Sequence, residues 1–554
     1  MPPEPASRSG DSKHESLVRS AGVVSAAVFM SRITGLVREI VMARLFGAGA
    51  VYDAFLLGFR IPNLTRDLFA EGALSSAFVP TITRYLSTKG KREAAELSNL
   101  VGTALIMVVG VLCAIGMIFS PALVQLLAPG FVDVPGKFAL AVKLTRIMFP
   151  FLLLVALAAQ AMGVLNACNQ FGVPAISSTF FNIGSLGFGL VLGFLVGPRI
   201  GISPIEGMAY GVVIGGAWQL LWQAPSLVRA GFAFRPRINL SHPGLRNILQ
   251  LMGPAIVGNA SVQVNVMVNT NFASNITDAA GHVINGPVSW LGYAFRFMQL
   301  PLGLFGVAIA SATLPAVSRS AALGDMDGFR QTLARSLGMI FLLTIPSSVG
   351  LAVLGDSMIA AVYQGGKFRA YDTHQTALAL SCYAVGLAGY AAIKVLAPAF
   401  YALNDARTPM IVSLLSILVN IAAASTMVKL AGLGHAGLAL STSLVALFSS
   451  IVLFEIIRRR IGGLQGRRLT AGFLKITAAS ALMGAACMIS SRLVQHWLGV
   501  ARLARVIDLA VSVPLGLIFF LVAAKLFRLS ELESARRALV APLARRLGWD
   551  RVKI

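Results

Sequence analysis

The chain has 554 residues, 56% of them hydrophobic and only 12% charged, with a formal net charge of +24 and a mean hydropathy of +0.78. Soluble globular chains carry about 25% charged residues, so a water-soluble domain is excluded and an all-α polytopic membrane protein is the class that fits. The excess of Lys and Arg would suggest nucleic acid in a soluble chain; here it sits mostly between apolar windows, where cytoplasmic retention of basic loops explains it.

Residues 1–16 are rich in Pro, Ser, Lys and Glu and are expected to be disordered on the cytoplasmic side. Apolar windows of about 20 residues then recur almost to the end and give about fourteen spans. The first two lie at 21–46 and 52–85. The run at 21–30 passes straight into Ser31-Arg32 with no small-residue cleavage pattern, so it reads as part of a span and not as a removed signal. Further windows lie at 97–119, 140–166, 174–196 and 207–227, followed by a basic loop with Arg229, Arg235, Arg237 and Arg246. The seventh window, 248–272, is unusually polar, with Asn259, Gln263, Asn265, Asn269 and Asn271. Windows at 290–317, 333–354, 378–403, 410–430 and 437–457 lead to a second basic loop with Arg458, Arg459 and Arg460. The last two lie at 473–493 and 506–526, ahead of a basic amphipathic tail. Links after even-numbered spans carry the cations (Lys89, Lys91, Arg92; Arg235, Arg237; Arg458 to Arg460), whereas 47–51 has none. Both termini are therefore expected in the cytoplasm.

Cys113, Cys168, Cys382 and Cys487 are far apart and lie in or beside apolar windows, which suits packing and not metal binding. The six histidines are scattered and form no HExxH. Clustered carboxylates, a histidine nucleophile or a metal motif would mark an enzyme acting on polyprenyl phosphates, and none is apparent.

The stretch 31–80 stands out. Two apolar helices joined by Gly47-Ala48-Gly49 carry Arg32, Arg38, Asp53, Arg60, Arg66 and Glu71. A charge near a bilayer centre costs about 2.5–3.5 kcal/mol on insertion scales, so these groups must face water or one another. Arginines lining a wet cavity make an anion site. Guanidinium groups suit a pyrophosphate because they stay charged and bind bidentately. The competing reading, snorkelling to the interface, fits Arg44 and Arg84 better than Arg32 or Arg38. Asp53, at a helix start, reads either as a partner of the helix dipole or as a salt bridge to a cavity arginine. Glu71 has Arg66 or Arg60 as its structural partner. Pro62 breaks the helix ladder, so Arg66 cannot be phased against Asp53 by counting; Gly35, Pro62-Asn63 and Pro301 are either hinges or close-packing points. The amides of the seventh span either bond neighbouring helices or hold a cation.

An internal repeat is visible. Pro80 and Arg84 recur as Pro315 and Arg319, Asn169 and Pro174 as Asn404 and Pro409, and Gly130 as Gly365, each 235 residues later. Each copy holds an even number of spans, about six, so the copies share topology as parallel repeats, with the substrate site between them. The expected organisation is an N-lobe at 17–235, a C-lobe at 236–465, an extra helix pair at 466–528 and a basic cytoplasmic tail at 529–554.

SRITGLVREIVMARLFGAG, DAF, PNLTRDLFAEGALSSAFVP, APGF at 128–131, QGGKF at 364–368 and KVLAPAFYALNDARTP at 394–409 together resemble the MurJ (MviN) family of lipid II flippases, in the MOP exporter superfamily. The resemblance covers nearly all of the chain after residue 20. It implies V-shaped lobes around a cationic cavity, with cavity residues at Arg32, Arg38, Asp53, Arg66 and Arg296. Arg60, Asn63 and Glu71 would support them. It also implies a groove for a polyprenyl tail along the last two helices, for which Leu515 and Phe519, four apart, are the lining residues chosen. Around Arg296 the acidic neighbours expected of the family are replaced by Phe295 and Gln299. The implied activity is movement of an undecaprenyl-pyrophosphate-linked peptidoglycan precursor from the cytoplasmic to the periplasmic leaflet of the inner membrane. Alternating access suffices, with no cofactor, no metal and no covalent chemistry. Membrane potential or a cation could drive it, and cell-wall synthesis machinery is the expected partner. Another MOP-type transporter (a polysaccharide-repeat flippase or cation-coupled antiporter) and a non-transporting scaffold are the alternatives. A cationic-drug antiporter would want an acidic cavity, and a scaffold would not need arginines.

Overall fold

The computed structural model describes residues 8–66, 74–239, 241–464 and 466–533. Among these the regular structure is helical, with only two isolated bridges, Thr277 with Val283 and Gly365 with Phe368. The chain divides into two compact units, and the division falls between Met267 and Val268.

The first unit contains α1 (Arg8–Phe46), α2 (Ala50–Arg66), α3 (Ser75–Thr88), α4 (Gly90–Ile118), α5 (Ser120–Leu127), α6 (Lys137–Met148), α7 (Phe151–Ala167), α8 (Gly172–Leu190), α9 (Gly197–Ile200), α10 (Pro204–Arg229) and the first part of α11 (Pro243–Ser274). α1 starts at Arg8, inside the 1–16 stretch read as disordered; the residues before it lie outside the described ones. α6 and α7 form one rod, and Phe149 at their junction lies flat on Gly116 of α4, where a Cβ would come within 2.1 Å of the ring. After α10 the basic loop returns along α4. The backbone amides of Arg235 and Arg237 donate to Asn99 Oδ1 and Thr103 Oγ1, each at 3.1 Å. Leu97, Val101, Phe78, Ile82 and Phe232 close an apolar core beneath it.

The second unit holds the end of α11 with α12 (Pro287–Pro301), α13 (Val307–Ala322), α14 (Met326–Tyr363), α15 (Ala370–Ala402), α16 (Arg407–Ser425), α17 (Gly434–Arg460), α18 (Gly466–Leu498) and α19 (Arg502–Leu526). Asp325 caps α14 by accepting from Gly328 N at 2.8 Å. Phe329, Leu333, Leu337, Val395, Phe400 and Ile457 form its main core. A second cluster, with Leu342 and Ile345 of α14, Ile476 and Met483 of α18 and Phe520 of α19, docks the last two helices.

The repeat is structural as well as sequential. Asn169 and Asn404 both adopt left-handed backbone, at φ 59° and 56°. In both, the next amide turns back to a helix carbonyl, Gln170 N to Leu165 O at 2.8 Å and Asp405 N to Phe400 O at 3.0 Å. The helices that follow each end in a π segment, Val191–Val196 in one copy and Thr426–Leu430 in the other. Asp405 then caps α16, accepting from Thr408 N at 3.0 Å and Thr408 Oγ1 at 2.7 Å. Those bonds and the Arg460 guanidinium hold its carboxyl below the usual carboxylate range.

Among the described residues each apolar window falls on a helix or on consecutive helices; 67–73, inside the second window, lie outside them. Among the described residues ten helices are long and apolar enough to cross a membrane. α1, α2, α3, α10 and α11 are not among the ten. α1 carries Arg32, Arg38 and Glu39, α11 carries its row of amides, and α2 has only 17 residues.

Candidate functional site

The hairpin that collects the charges turns at Gly47, whose φ of 68° lets α1 end and α2 begin three residues later. α1 packs on α8 through Gly35, where a Cβ would lie 3.4 Å from Asn182 Nδ2, and Asn182 Nδ2 donates to Ser31 O at 3.1 Å. Arg32 and Arg38 are six residues apart, so on a helix of 3.6 residues per turn they point about 120° apart. Arg32 is exposed. Arg38 is half-buried, with its guanidinium carbon 5.2 Å from the centre of the Phe181 ring of α8.

Asp53 is fully buried in the first turn of α2. Its ion partner is Lys137 Nζ at 2.9 Å, with both side chains 1% exposed. A lysine is thus an ion partner of Asp53, one that the sequence reading did not name. Asp53 also stands in the first turn of α2, where the helix dipole favours an anion. Lys137 Nζ lies 4.0 Å from the Phe131 ring centre. The pair therefore joins two of the quoted motifs, DAF and APGF. Sequence reasoning missed Lys137. Its signal was a lysine at the first position of a helix, where the dipole disfavours a cation and a carboxylate nearby offsets it.

The second unit rebuilds this corner with other chemistry. Trp290, fourth residue of α12 as Asp53 is of α2, donates its indole N–H to Asp372 Oδ1 at 3.1 Å. Asp372 also accepts from Arg369 N at 2.9 Å, capping α15. Phe368 is buried against Tyr293 at 5.4 Å, and His435 lies 5.0 Å from Trp290. The carboxylate has moved to the other partner of the corner, and the lysine is gone.

Arg60 and Asn63 are half-buried on α2, which continues through Pro62 to Arg66. Asn63 Oδ1 is buried with no hydrogen-bond partner among the described residues. Arg66 closes α2, but its side chain and all of Glu71 lie outside the described residues. Arg296 is exposed on α12 in the second unit, five residues before Pro301 and the π segment Leu302–Gly306. Its neighbour Phe295 packs edge-on against Tyr383 at 5.5 Å. The amide Asn269 bonds adjacent helices, donating to Thr442 Oγ1 at 2.9 Å and accepting from Asn420 Nδ2 at 3.0 Å. On α19 the packed stripe is Asp508, Ser512, Gly516, Phe520 and Ala523. Leu515 and Phe519 lie beside it, half-buried and 47% exposed respectively.

Ten membrane-length helices among the described residues, a twofold-repeated architecture and arginines within the first helical hairpin define a multi-pass membrane transporter. The same fold is seen, at 16% identity and a TM-score of 0.65, in an inward-facing multidrug MATE transporter of the MOP superfamily, over 80% of this chain and 99% of that one. The model of the family described as "Lipid II flippase MurJ" matches residues 42–507. The chain belongs to the MurJ lipid II flippase family. It is 33% identical over 529 residues to the probable lipid II flippase MurJ of Vibrio cholerae, covering 94% of this chain and 98% of the relative. It is 34% identical over 485 residues to the lipid II flippase MurJ of Burkholderia cenocepacia, covering 87% and 90%. A solved structure of lipid II flippase MurJ in an inward closed conformation aligns at a TM-score of 0.74 and 26% identity, over 91% of this chain and 98% of that one.

Proposed function

We propose that this protein moves a lipid-linked peptidoglycan precursor from the cytoplasmic to the periplasmic leaflet of the bacterial inner membrane by alternating access. About fourteen spans and cytoplasmic termini go with this reading. The observation that carries it is the pair Arg32 and Arg38 in α1, one exposed and one held half-buried over Phe181, in a chain whose relatives are named lipid II flippases. Arginine in a membrane-length helix is retained against its insertion cost only where it meets water or an anion. A pyrophosphate is the anion whose geometry a guanidinium fork matches. Arg66 and Arg296 complete the cavity in this reading, and Asp53 holds the entrance of α2 in place through Lys137. Arg60, Asn63 and Glu71 support them.

The transport step needs no covalent chemistry and no cofactor. Membrane potential or a cation supplies the direction, and the cell-wall synthesis machinery takes the product. The prenyl tail stays in lipid along α18 and α19 while the headgroup crosses. The test is complementation of cells depleted of their own flippase, with a leaflet assay for the precursor. The parent chain should restore periplasmic precursor. Arg32→Ala, Arg38→Ala and Arg296→Ala should each abolish it at normal membrane levels, and Arg→Lys should restore it only in part. Normal growth and flipping in all three Ala variants refutes the pyrophosphate site.

A further inference from the structure

Asp508 is a buried carboxylate that the transport reading does not use. It lies in α19 at 0% exposure, and it gathers donors from three helices. Ser357 Oγ of α14 donates to Oδ2 at 2.5 Å. Ser491 Oγ and Gln495 Nε2 of α18 donate to the same oxygen at 2.7 and 3.3 Å. Ser512 Oγ, one turn on in α19, donates to Oδ1 at 2.8 Å. Arg505 reaches the cluster only indirectly, through Nη1 to Ser357 Oγ at 3.2 Å. Among the described residues no cation pairs with this carboxylate within 4 Å.

Ser357 and Ser491 accept from Arg505 Nη1 and Gln495 Nε2, so their own hydrogens turn to Oδ2, whereas Ser512 Oγ, also 2.9 Å from Ser490 Oγ, can donate or accept at Oδ1; an ionised carboxylate satisfies every one of these contacts. An uncompensated buried charge is an expensive way to hold helices together. Apolar packing already docks the rest of the pair, through Met483, Cys487, Phe520 and Ala524. The charge therefore sits at one end of an otherwise apolar contact, and that end is satisfied only while α14, α18 and α19 are all in place.

We propose that Asp508 is a positioning residue for the prenyl tail: its carboxylate clamps the α18–α19 pair onto α14 and so fixes the edge of the tail groove. This rests on the groove reading given above.

Hydrogen–deuterium exchange of the whole protein in lipid nanodiscs reads the clamp without any substrate. Asp508→Asn should speed amide exchange in residues 488–512 by about tenfold, with the other helices unchanged. Ser357→Ala removes only the α14 donor; it should do the same more weakly, and it serves if Asp508→Asn does not fold. Binding of undecaprenyl pyrophosphate against farnesyl pyrophosphate then reads the groove. The parent should prefer the long chain, and Asp508→Asn should cut that preference about tenfold while leaving farnesyl pyrophosphate binding unchanged. Unchanged exchange in whichever variants fold overturns the clamp. Faster exchange with an unchanged chain-length preference overturns its link to the groove. A parent protein with no chain-length preference instead overturns the groove reading itself, and the proposal with it.

Discussion

A lysine at the first position of a helix sits where the helix dipole opposes it. Lys137 is nonetheless there, buried, because Asp53 lies 2.9 Å away and the Phe131 ring covers its ammonium. Removing one partner of a buried ion pair costs about 3–5 kcal/mol, whereas replacing both by apolar residues of similar volume is often close to neutral. Asp53→Leu and Lys137→Met should therefore each lower the thermal midpoint of the purified protein, and the double variant should recover most of the loss. A double variant as unstable as the sum of the singles would mean that the pair is not what the two residues contribute. Asp53 was legible in the sequence as a lone acid at a helix start. Its partner was not, because the two are 84 residues apart and nothing in local spacing joins them. The arginines of α1 were legible for the opposite reason: an apolar run on both sides makes a charge conspicuous. Asp508 was as conspicuous a charge, but its donors were not legible: Ser357 is 151 residues away, and serines in an apolar window look like ordinary packing residues.

Helix positions were the most legible part of the chain, since period and hydropathy decide them locally. How closely two helices approach is written more faintly, in where the glycines fall. α8 and α10 meet backbone to backbone. A Cβ on Gly211 would lie 2.4 Å from Ser185 O and 2.6 Å from Gly189 Cα, and one on Gly207 would lie 2.3 Å from Gly193 Cα. Backbone atoms cannot step aside as a side chain can. Gly211→Ala should therefore push the two helices apart and cost about 1–3 kcal/mol, read as a lower thermal midpoint. Gly187, on the same α8 but with nothing within 4 Å of its Cβ position, is the control. Gly187→Ala should be neutral or slightly stabilising, by about 0.5–1 kcal/mol, because alanine gives up less backbone entropy in a helix. Equal effects at the two sites would mean that the close crossing does not govern stability. Where the sequence was ambiguous, in the hairpin around Pro62, the reason was also physical: a proline removes one ladder bond, and helix continuity then depends on tertiary contacts.

At the scale of the whole molecule, the last two helices stand outside the repeat, so the duplicated architecture does not call for them. They are nevertheless docked by a core of their own, in which Phe520 is 6% exposed. Its neighbour Phe519 is 47% exposed and Leu515 is half-buried, one helical turn before it. A side chain on the packed stripe holds the fold, and one beside it is free to meet lipid or a prenyl chain. Two adjacent phenylalanines should thus behave differently. Phe520→Ala should destabilise the purified protein by about 3–5 kcal/mol through the cavity it leaves. Phe519→Ala should cost clearly less, because 47% of its surface stays exposed after folding. In the leaflet assay, Leu515→Asp and Phe519→Asp should slow movement of the long-chain precursor while the protein stays folded and at normal levels in the membrane. A polar group there meets the hydrocarbon that the tail would occupy, and that exclusion acts on substrate passage and not on the helix core. If both variants flip the long-chain precursor at the parental rate, the tail travels elsewhere and this face of α19 is simply membrane-exposed.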